Sequence, residues 1–315
     1  MTYPWGHNRR HNSLAEYMKK KFGERVQKLT LDTGFTCPNR DGSKGTGGCT
    51  FCNNDAFNPS YCIPSKPIAA QLMEGTYYYS KRYKGVTRFL AYFQAYSNTY
   101  KSLDELDALY TEALRFPGVI GLVIGTRPDC VDDRLLDYLA ELSQRCYLVI
   151  EYGVESCYNE TLKRVNRGHT LGDSVNAIEH TAARGIRQGV HFIIGLPGED
   201  RSAILGAFRL VSEWPVNQVK LHQLQIVKGT KMEEDYRNDP GSFHIFSLEE
   251  YLDIVVEVVE NLNPAFVIDR VAGEVNPGFL VSPDWKLRYD QVLLRFEALM
   301  EERNTWQGRL YKPLI

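Results

Sequence analysis

Three cysteines stand close together near the start of the chain, in Thr36-Cys37-Pro38-Asn39-Arg40-Asp41-Gly42 and Gly47-Gly48-Cys49-Thr50-Phe51-Cys52-Asn53. Their spacing is Cys-x11-Cys-x2-Cys. A close pair of soft thiolates preceded by glycines can wrap one metal centre. Gly45, Gly47 and Gly48 free backbone amides to donate to cluster sulfides. On an iron–sulfur cubane, three thiolates leave one iron without a protein ligand. That iron can take a small molecule through its amino and carboxylate groups. Two other chemistries fit the same residues. One is a zinc knuckle completed by Cys62 or, more remotely, by His169 or His191; the other is an electron-transfer cluster held by four cysteines. Cys130, Cys146 and Cys157 stand alone and read as ordinary buried or half-buried thiols.

A loop of this kind needs a rigid frame, and the chain alternates short apolar runs with helical patterns. The runs are Val26–Leu31, Arg88–Tyr96, Val119–Ile124, Tyr147–Tyr152, Gln188–Ile194 and Gln218–Val227, each rich in β-branched and aromatic residues. Helical periodicity covers Ser65–Tyr79, Leu103–Arg115, Asp133–Gln144, Leu171–Arg184 and Arg201–Trp214. Ser102 and Thr170 suit helix caps, and Glu105 completes a capping box. Six strands alternating with helices predict right-handed crossovers and a parallel sheet covered on both faces. The expected fold is α/β, a partial (β/α)6 TIM-like barrel, with chemistry at the C-terminal strand ends. The cysteine loop follows the first strand directly, at such an end. The expected division is a basic segment at 1–25, a core at 26–230 and a C-terminal α/β extension at 231–315. In the extension, Ser247–Leu262 and Leu287–Arg303 read as helices and Ala265–Val271 as a strand.

With 315 residues, 43% of them hydrophobic, the chain can bury a large core. A net charge of −2 gives no global attraction to polyanions or membranes. Locally, Arg9, Arg10, Lys19, Lys20, Lys21, Arg25 and Lys28 face only Glu16 and Glu24, which makes either a solvated helix face or a phosphate-contacting arm. No run is long enough to span a bilayer, and the N-terminus has no apolar signal region. The expected location is the cytoplasm, where seven cysteines, an odd number, argue for metal rather than disulfides.

The string Cys-Pro-Asn-Arg-Asp-Gly…Gly-Gly-Cys-Thr-Phe-Cys-Asn resembles the cluster loop of the radical S-adenosylmethionine (SAM) superfamily. The closer resemblance is to a bacterial family related to the Elongator catalytic subunit and to oxygen-independent coproporphyrinogen oxidase. It implies a [4Fe–4S] cluster on Cys37, Cys49 and Cys52, SAM on the open iron, and an electron donor of the flavodoxin or ferredoxin type. It also implies SAM contacts at successive strand ends. After the second strand these are Gln94 or nearby carbonyls, in place of the usual Gly-Gly-Glu. After the third strand they are Thr126 and Arg127, where Arg127 can equally pair with Asp129. Glu151 and Glu155 would hold ribose hydroxyls or the methionyl amine, Arg164 or Arg167 the SAM carboxylate or a strand-four glutamate, and Gly195 the adenine. His222 and Gln225 are expected to point inward from the sixth strand.

The activity so implied is reductive cleavage of SAM to a 5′-deoxyadenosyl radical that abstracts hydrogen from a substrate. The two kinships point to different substrates, a tRNA uridine or a small molecule such as a tetrapyrrole, and the basic arm favours tRNA. A reading from another class is a non-catalytic zinc or iron–sulfur RNA-binding protein, using Tyr77, Tyr78, Tyr79 and Tyr83 to stack on bases. Such a module would have no use for the motifs on strands four and five.

Overall fold

A computed structural model of the chain describes residues 2–313; residues 1 and 314–315, the outermost parts of the expected first and last segments, lie outside the described residues. The apolar runs form β1 (Val26–Leu31), β2 (Arg88–Phe93), β3 (Val119–Thr126), β4 (Tyr147–Glu155), β5 (Arg187–Ile194) and β6 (Gln218–Gln223). Then come β7 (Ile226–Val227), β8 (Val267–Arg270) and β9 (Leu280–Ser282). Strands β1 to β6 and then β8 lie side by side in one parallel seven-stranded sheet, while β7 and β9 form a separate antiparallel pair. The helices are α1 (Leu14–Phe22), α2 (Ile68–Ser80), α3 (Leu103–Leu114), α4 (Asp133–Ser143), α5 (Asn159–Arg164), α6 (Leu171–Ala183), α7 (Arg201–Val211), α8 (Lys231–Asn238), α9 (Leu248–Asn261) and α10 (Tyr289–Glu302). Ser102 and Thr170 both close capping boxes, with Glu105 and Asp173.

The pleat explains the architecture. Alternate residues such as Leu29, Leu31, Phe93, Ile124, Ile150, Val190 and Leu221 point outward into one core shared with the helices. The other face is concave. Lys28 on β1, one edge of the sheet, places its Nζ 2.7 Å from Asp269 Oδ2 on β8, the opposite edge, so the sheet curls until its edges meet through side chains. Helix α1 closes the N-terminal end of this lumen. Met18, with Leu14, Tyr17 and Phe22, packs on Leu90, Tyr92, Val123, Tyr147 and Val149 of the inner face. Ser13 caps α1, and Ile268 of β8 donates its N–H to the Asn12 carbonyl.

The curled, half-barrel α/β fold is the expected one, with three differences in its strands. The expected run Gln218–Val227 breaks at Leu224–Gln225, which turns β7 out of the main sheet to pair with β9. The expected run Arg88–Tyr96 ends at Phe93, because the backbone turns at Tyr96 with φ +62°. The C-terminal strand joins the sheet beside β6 as its seventh member. Among the described residues, no helix is long and apolar enough to cross a membrane.

Candidate active site at the cysteine loop

The loop after β1 folds back on itself at the C-terminal rim of the sheet. Arg40 N–H donates to the Cys37 carbonyl (2.8 Å), Gly48 N–H to the Asn39 carbonyl (2.8 Å) and Cys52 N–H to the Cys49 carbonyl (3.0 Å). Gly48 suits glycine: its φ is +78°, and a Cβ there would lie 2.7 Å from Arg40 Nε and push that side chain aside. Helix α5 and the turn after it wall the loop in. Thr50 N–H donates to the Val165 carbonyl (3.0 Å), Asn166 Nδ2 to the Gly48 carbonyl (2.8 Å), and Asn39 Nδ2 to the Asn166 carbonyl (2.5 Å).

The sulfurs sit among donors. Arg167 Nη1 lies 3.4 Å from Cys49 Sγ, Asn39 Nδ2 3.9 Å from the same sulfur, and Asn54 Nδ2 3.7 Å from Cys52 Sγ. Arg40 donates to the Cys52 carbonyl (2.8 Å) and its guanidinium lies over the Tyr96 ring. Burial, and next the adjoining Cys49, push the Cys52 thiol up to about 11. Asn39 Oδ1 and Arg167 Nε are buried without a partner among the described residues. All seven cysteines are free thiols. Three thiols on one loop, two guanidinium groups and two side-chain amides turned to sulfur suit a cluster of net negative charge.

The zinc set does not assemble. Cys62 donates its thiol to the Thr30 carbonyl (3.1 Å), and burial raises it to about 12. His169 lies between the carbonyls of Gly153 and Thr170, and burial pushes it down to about 3. His191 is bound to Glu151 (3.1 Å). Among the described residues, no three His, Cys, Asp or Glu side chains converge to hold a single ion. Thiols around a cubane sit on different irons, whereas those on one zinc crowd to roughly 4 Å from each other.

The structure places the expected SAM residues as follows. Gln94 is half-buried just past β2. Thr126 is buried, and its hydroxyl is taken by Thr99 (2.6 Å). Arg127 makes the expected pair, with Nε and Nη2 each 2.9 Å from an Asp129 oxygen, and donates to the Arg167 carbonyl (2.6 Å). Glu155 ends β4 with φ +71°, its Oε1 3.8 Å from Arg167 Nη2. Arg167 also donates to the Gly153 carbonyl (2.6 Å). Gly195 has φ +96°, and a Cβ there would lie 2.7 Å from the Phe246 ring. Arg164 is exposed on α5. Glu155, Arg167 and Cys49 thus come together, while Arg164 stays outside. Glu151 lies four residues before Glu155, about 13 Å lower along the strand, with both carboxylate oxygens engaged by Lys28, Lys220 and His191. His222 faces the lumen beside His191. Sequence reasoning missed Asn39 and Asn166, which fasten the loop. It also missed the lumen's ion pairs, whose one signal is a lysine inside each of two apolar runs, Lys28 and Lys220.

A cysteine loop at the mouth of a curled parallel half-barrel defines a cluster-bearing α/β enzyme. The chain belongs to the radical SAM superfamily: that family's model matches residues 37–211, and a radical SAM C-terminal domain matches residues 216–302. It is therefore an enzyme whose cofactors are a [4Fe–4S] cluster and SAM. Protein YhcC of Escherichia coli is 36% identical over 96% of both chains, and the uncharacterized protein YtqA of Bacillus subtilis is 31% identical over 97% of this chain and 94% of its own. A tRNA uridine(34) acetyltransferase of Methanocaldococcus jannaschii is 27% identical over 43% of this chain and 25% of its own. The solved structure of Elp3 from Methanocaldococcus infernus shares the fold, with TM-score 0.68 and 16% identity over 90% of this chain and 64% of its own. Methylornithine synthase does so at 0.53, with 14% identity over 92% and 86%. The kinship with Elongator-type proteins expected from the cysteine string is thus borne out.

Proposed function

We propose that the chain takes a hydrogen atom from a tRNA nucleoside, with Cys37, Cys49 and Cys52 as the cluster's protein ligands. The observation that carries the ligand set is that these three thiols share one clamped loop at the rim, while Cys62 is turned away to the Thr30 carbonyl. Held by these thiols, a reduced cluster would supply the one electron by which bound SAM is cleaved to methionine and a 5′-deoxyadenosyl radical. Arg167 and Arg40 offset negative charge around the sulfurs and favour reduction. Glu155, the carboxylate 3.8 Å from Arg167 that keeps no close hydrogen bond among the described residues, is the acceptor for a SAM hydroxyl or amine. Gly195 lets the β5 backbone approach the adenine. A donor of the flavodoxin or ferredoxin type supplies the electron, in a cytoplasmic setting that keeps the thiols reduced.

The tRNA reading rests on the relative named for tRNA uridine(34) and on charge at the rim. Lys163 and Arg164 are exposed on α5, while Arg40, Lys44 and Lys101 at the rim are already engaged with the Cys52 carbonyl, Asp129 and Glu105. The N-terminal arm supports it less. Arg9 and Arg10 are engaged with Glu297 and Asn304 of the C-terminal region, and Lys19, Lys20 and Lys21 stand on α1 at the closed end. We further propose that residues 231–315 work as an extension of the core, α9 packing on α7 and α10 on α9.

Anaerobic reconstitution should bind about four irons. Incubation with SAM, dithionite and a tRNA pool should give 5′-deoxyadenosine and a mass change in one tRNA nucleoside. SAM cleavage that tRNA neither stimulates nor redirects defeats the substrate reading and leaves a small molecule in its place.

A further inference from the structure

The inner face of the sheet carries a polar layer that the cysteine site does not use. β1 supplies Lys28, β2 Tyr92, β4 Glu151, β5 His191, β6 Lys220 and His222, and β8 Asp269; Arg270, at the end of β8, lies instead over the Tyr289 ring. The charges in the layer cancel. Lys28 reaches Glu151 (2.6 Å) and Asp269 (2.7 Å), and Lys220 reaches them at 3.3 and 3.9 Å and the Tyr92 hydroxyl at 3.1 Å. Two ammonium groups face two carboxylates, so no charge is left over for an ionic ligand.

Two imidazoles are left over. His191 Nε2 lies 3.1 Å from Glu151 Oε2, which fixes the ring and places its proton on Nε2, leaving Nδ1 as an acceptor. Burial pulls the Glu151 carboxyl up, but Lys220, Lys28 and His191 outweigh it and hold Glu151 ionised. His222 lies alongside, its ring 5.6 Å from that of His191 at 27°, with Nε2 buried and, among the described residues, unpartnered. Burial, reinforced by His191 and Lys220, keeps His222 neutral. Leaving a buried nitrogen unpaired is costly, so a hydrogen-bonding group belongs there. The wall above the pair keeps some accessible surface: 21% of the His191 side chain and 14% of that of Glu155 are exposed, and Ile193, Gly153 and Gln94 are only partly buried.

We propose that His191 and His222 receive an uncharged N–H or O–H group of the substrate in the barrel lumen, and that His191, oriented by Glu151, exchanges its proton. This rests on the tRNA reading: the imide N–H of a pyrimidine base turned out of its stack is such a group. The proton passes from the substrate nitrogen to His191 Nδ1 and the electron pair stays on that nitrogen. The imidazolium formed stands against the Glu151 carboxylate. His191 is the catalytic residue, and Glu151 a positioning residue.

The test uses reconstituted holoenzyme and bulk tRNA, following tRNA-dependent 5′-deoxyadenosine formation against pH. Iron content and the far-UV circular dichroism spectrum report folding. His191→Asn should lower kcat at least about 100-fold and abolish the acidic limb of the pH–rate profile. Glu151→Gln should shift that limb, and His222→Asn should raise KM for tRNA about tenfold with kcat nearly kept. Parent-like kcat and an unchanged acidic limb in His191→Asn overturn the proposal. If the parent itself shows no tRNA-dependent turnover, the tRNA reading fails separately. The imidazole pair is then judged by 15N-histidine NMR of the parent with uridine as probe: moving His191 and His222 resonances uphold it, and unmoved ones overturn it.

Discussion

Replacing Asp129 by asparagine measures how firmly the cysteine loop is fastened to the barrel. The carboxylate takes both forks of Arg127 at 2.9 Å and Lys44 Nζ at 2.7 Å, with only 3% of its side chain exposed. Burial raises its pKa, but Arg127 and then Lys44 outweigh that and bring it from 3.8 to about 2. A shift of that size corresponds to about 2 kcal/mol of native-state stability. Asp129→Asn keeps the shape and removes the charge, and it also leaves Arg127 buried without its counter-ion. The expected loss near pH 7 is therefore roughly 2–4 kcal/mol. Because the folded pKa is depressed, the contribution is complete above the unfolded value near 4 and disappears as pH falls toward 2. Urea unfolding followed by circular dichroism, near pH 7, 5 and 3, reads both features. A difference below about 0.5 kcal/mol near pH 7, the size of an ordinary surface substitution, or one undiminished near pH 3, refutes the reasoning.

Cys62→Ala should leave the iron content and the reduced-cluster spectrum unchanged, whereas alanine at Cys37, Cys49 or Cys52 should abolish the cluster; loss of iron in the Cys62 variant would make it a ligand. Lys28→Met removes the main partner of Asp269 and should cost roughly 3 kcal/mol by denaturant titration, and a cost under 1 would mean Lys220 alone suffices. Gly195→Ala forces a side chain into positive φ against Phe246, so it should destabilise by at least about 1–2 kcal/mol and weaken SAM binding by calorimetry; parent-like values for both would remove Gly195 from the site. Alanine at Lys163 and Arg164 should flatten the log–log salt dependence of tRNA affinity by about 1.5 units, more than alanine at Lys19, Lys20 and Lys21, and the reverse order would put the RNA path at the closed end of the barrel.

The strands and the cysteine loop were legible because they depend on local pattern. Val119–Ile124 is almost continuous in β-branched and apolar residues, and the spacing of Cys37, Cys49 and Cys52 lies within one loop. What stayed hidden depends on contacts between distant residues. Nothing local tells that Lys28 meets Asp269, 241 residues away, or that Glu151 would be held by lysines from two other strands. A helix face was one of two readings of the lysine-rich segment, but its docking was hidden: Leu14, Met18 and Phe22 supply the apolar stripe that seats α1 on the sheet. Asn166 adopts φ +51° just past α5, a turn that asparagine tolerates, but its grip on the Gly48 carbonyl needs the folded loop to exist.

The meeting of Lys28 with Asp269 gives this sheet a seam sewn by side chains instead of backbone. A closed barrel fixes its bore by hydrogen-bond register, which cannot stretch without breaking a ladder. Here the bore is set by the reach of one flexible lysine and by α1 wedged beneath it, so it can widen by a rotamer change while every ladder stays intact. Among the described residues the outer edge of β1 has no strand neighbour, and Thr30 there is bonded instead to the Tyr61 hydroxyl and the Cys62 thiol. The other amides of that edge should exchange with solvent well before those of β3 and β4, and a bulky guest in the lumen would be felt first at the stitch, far from the iron.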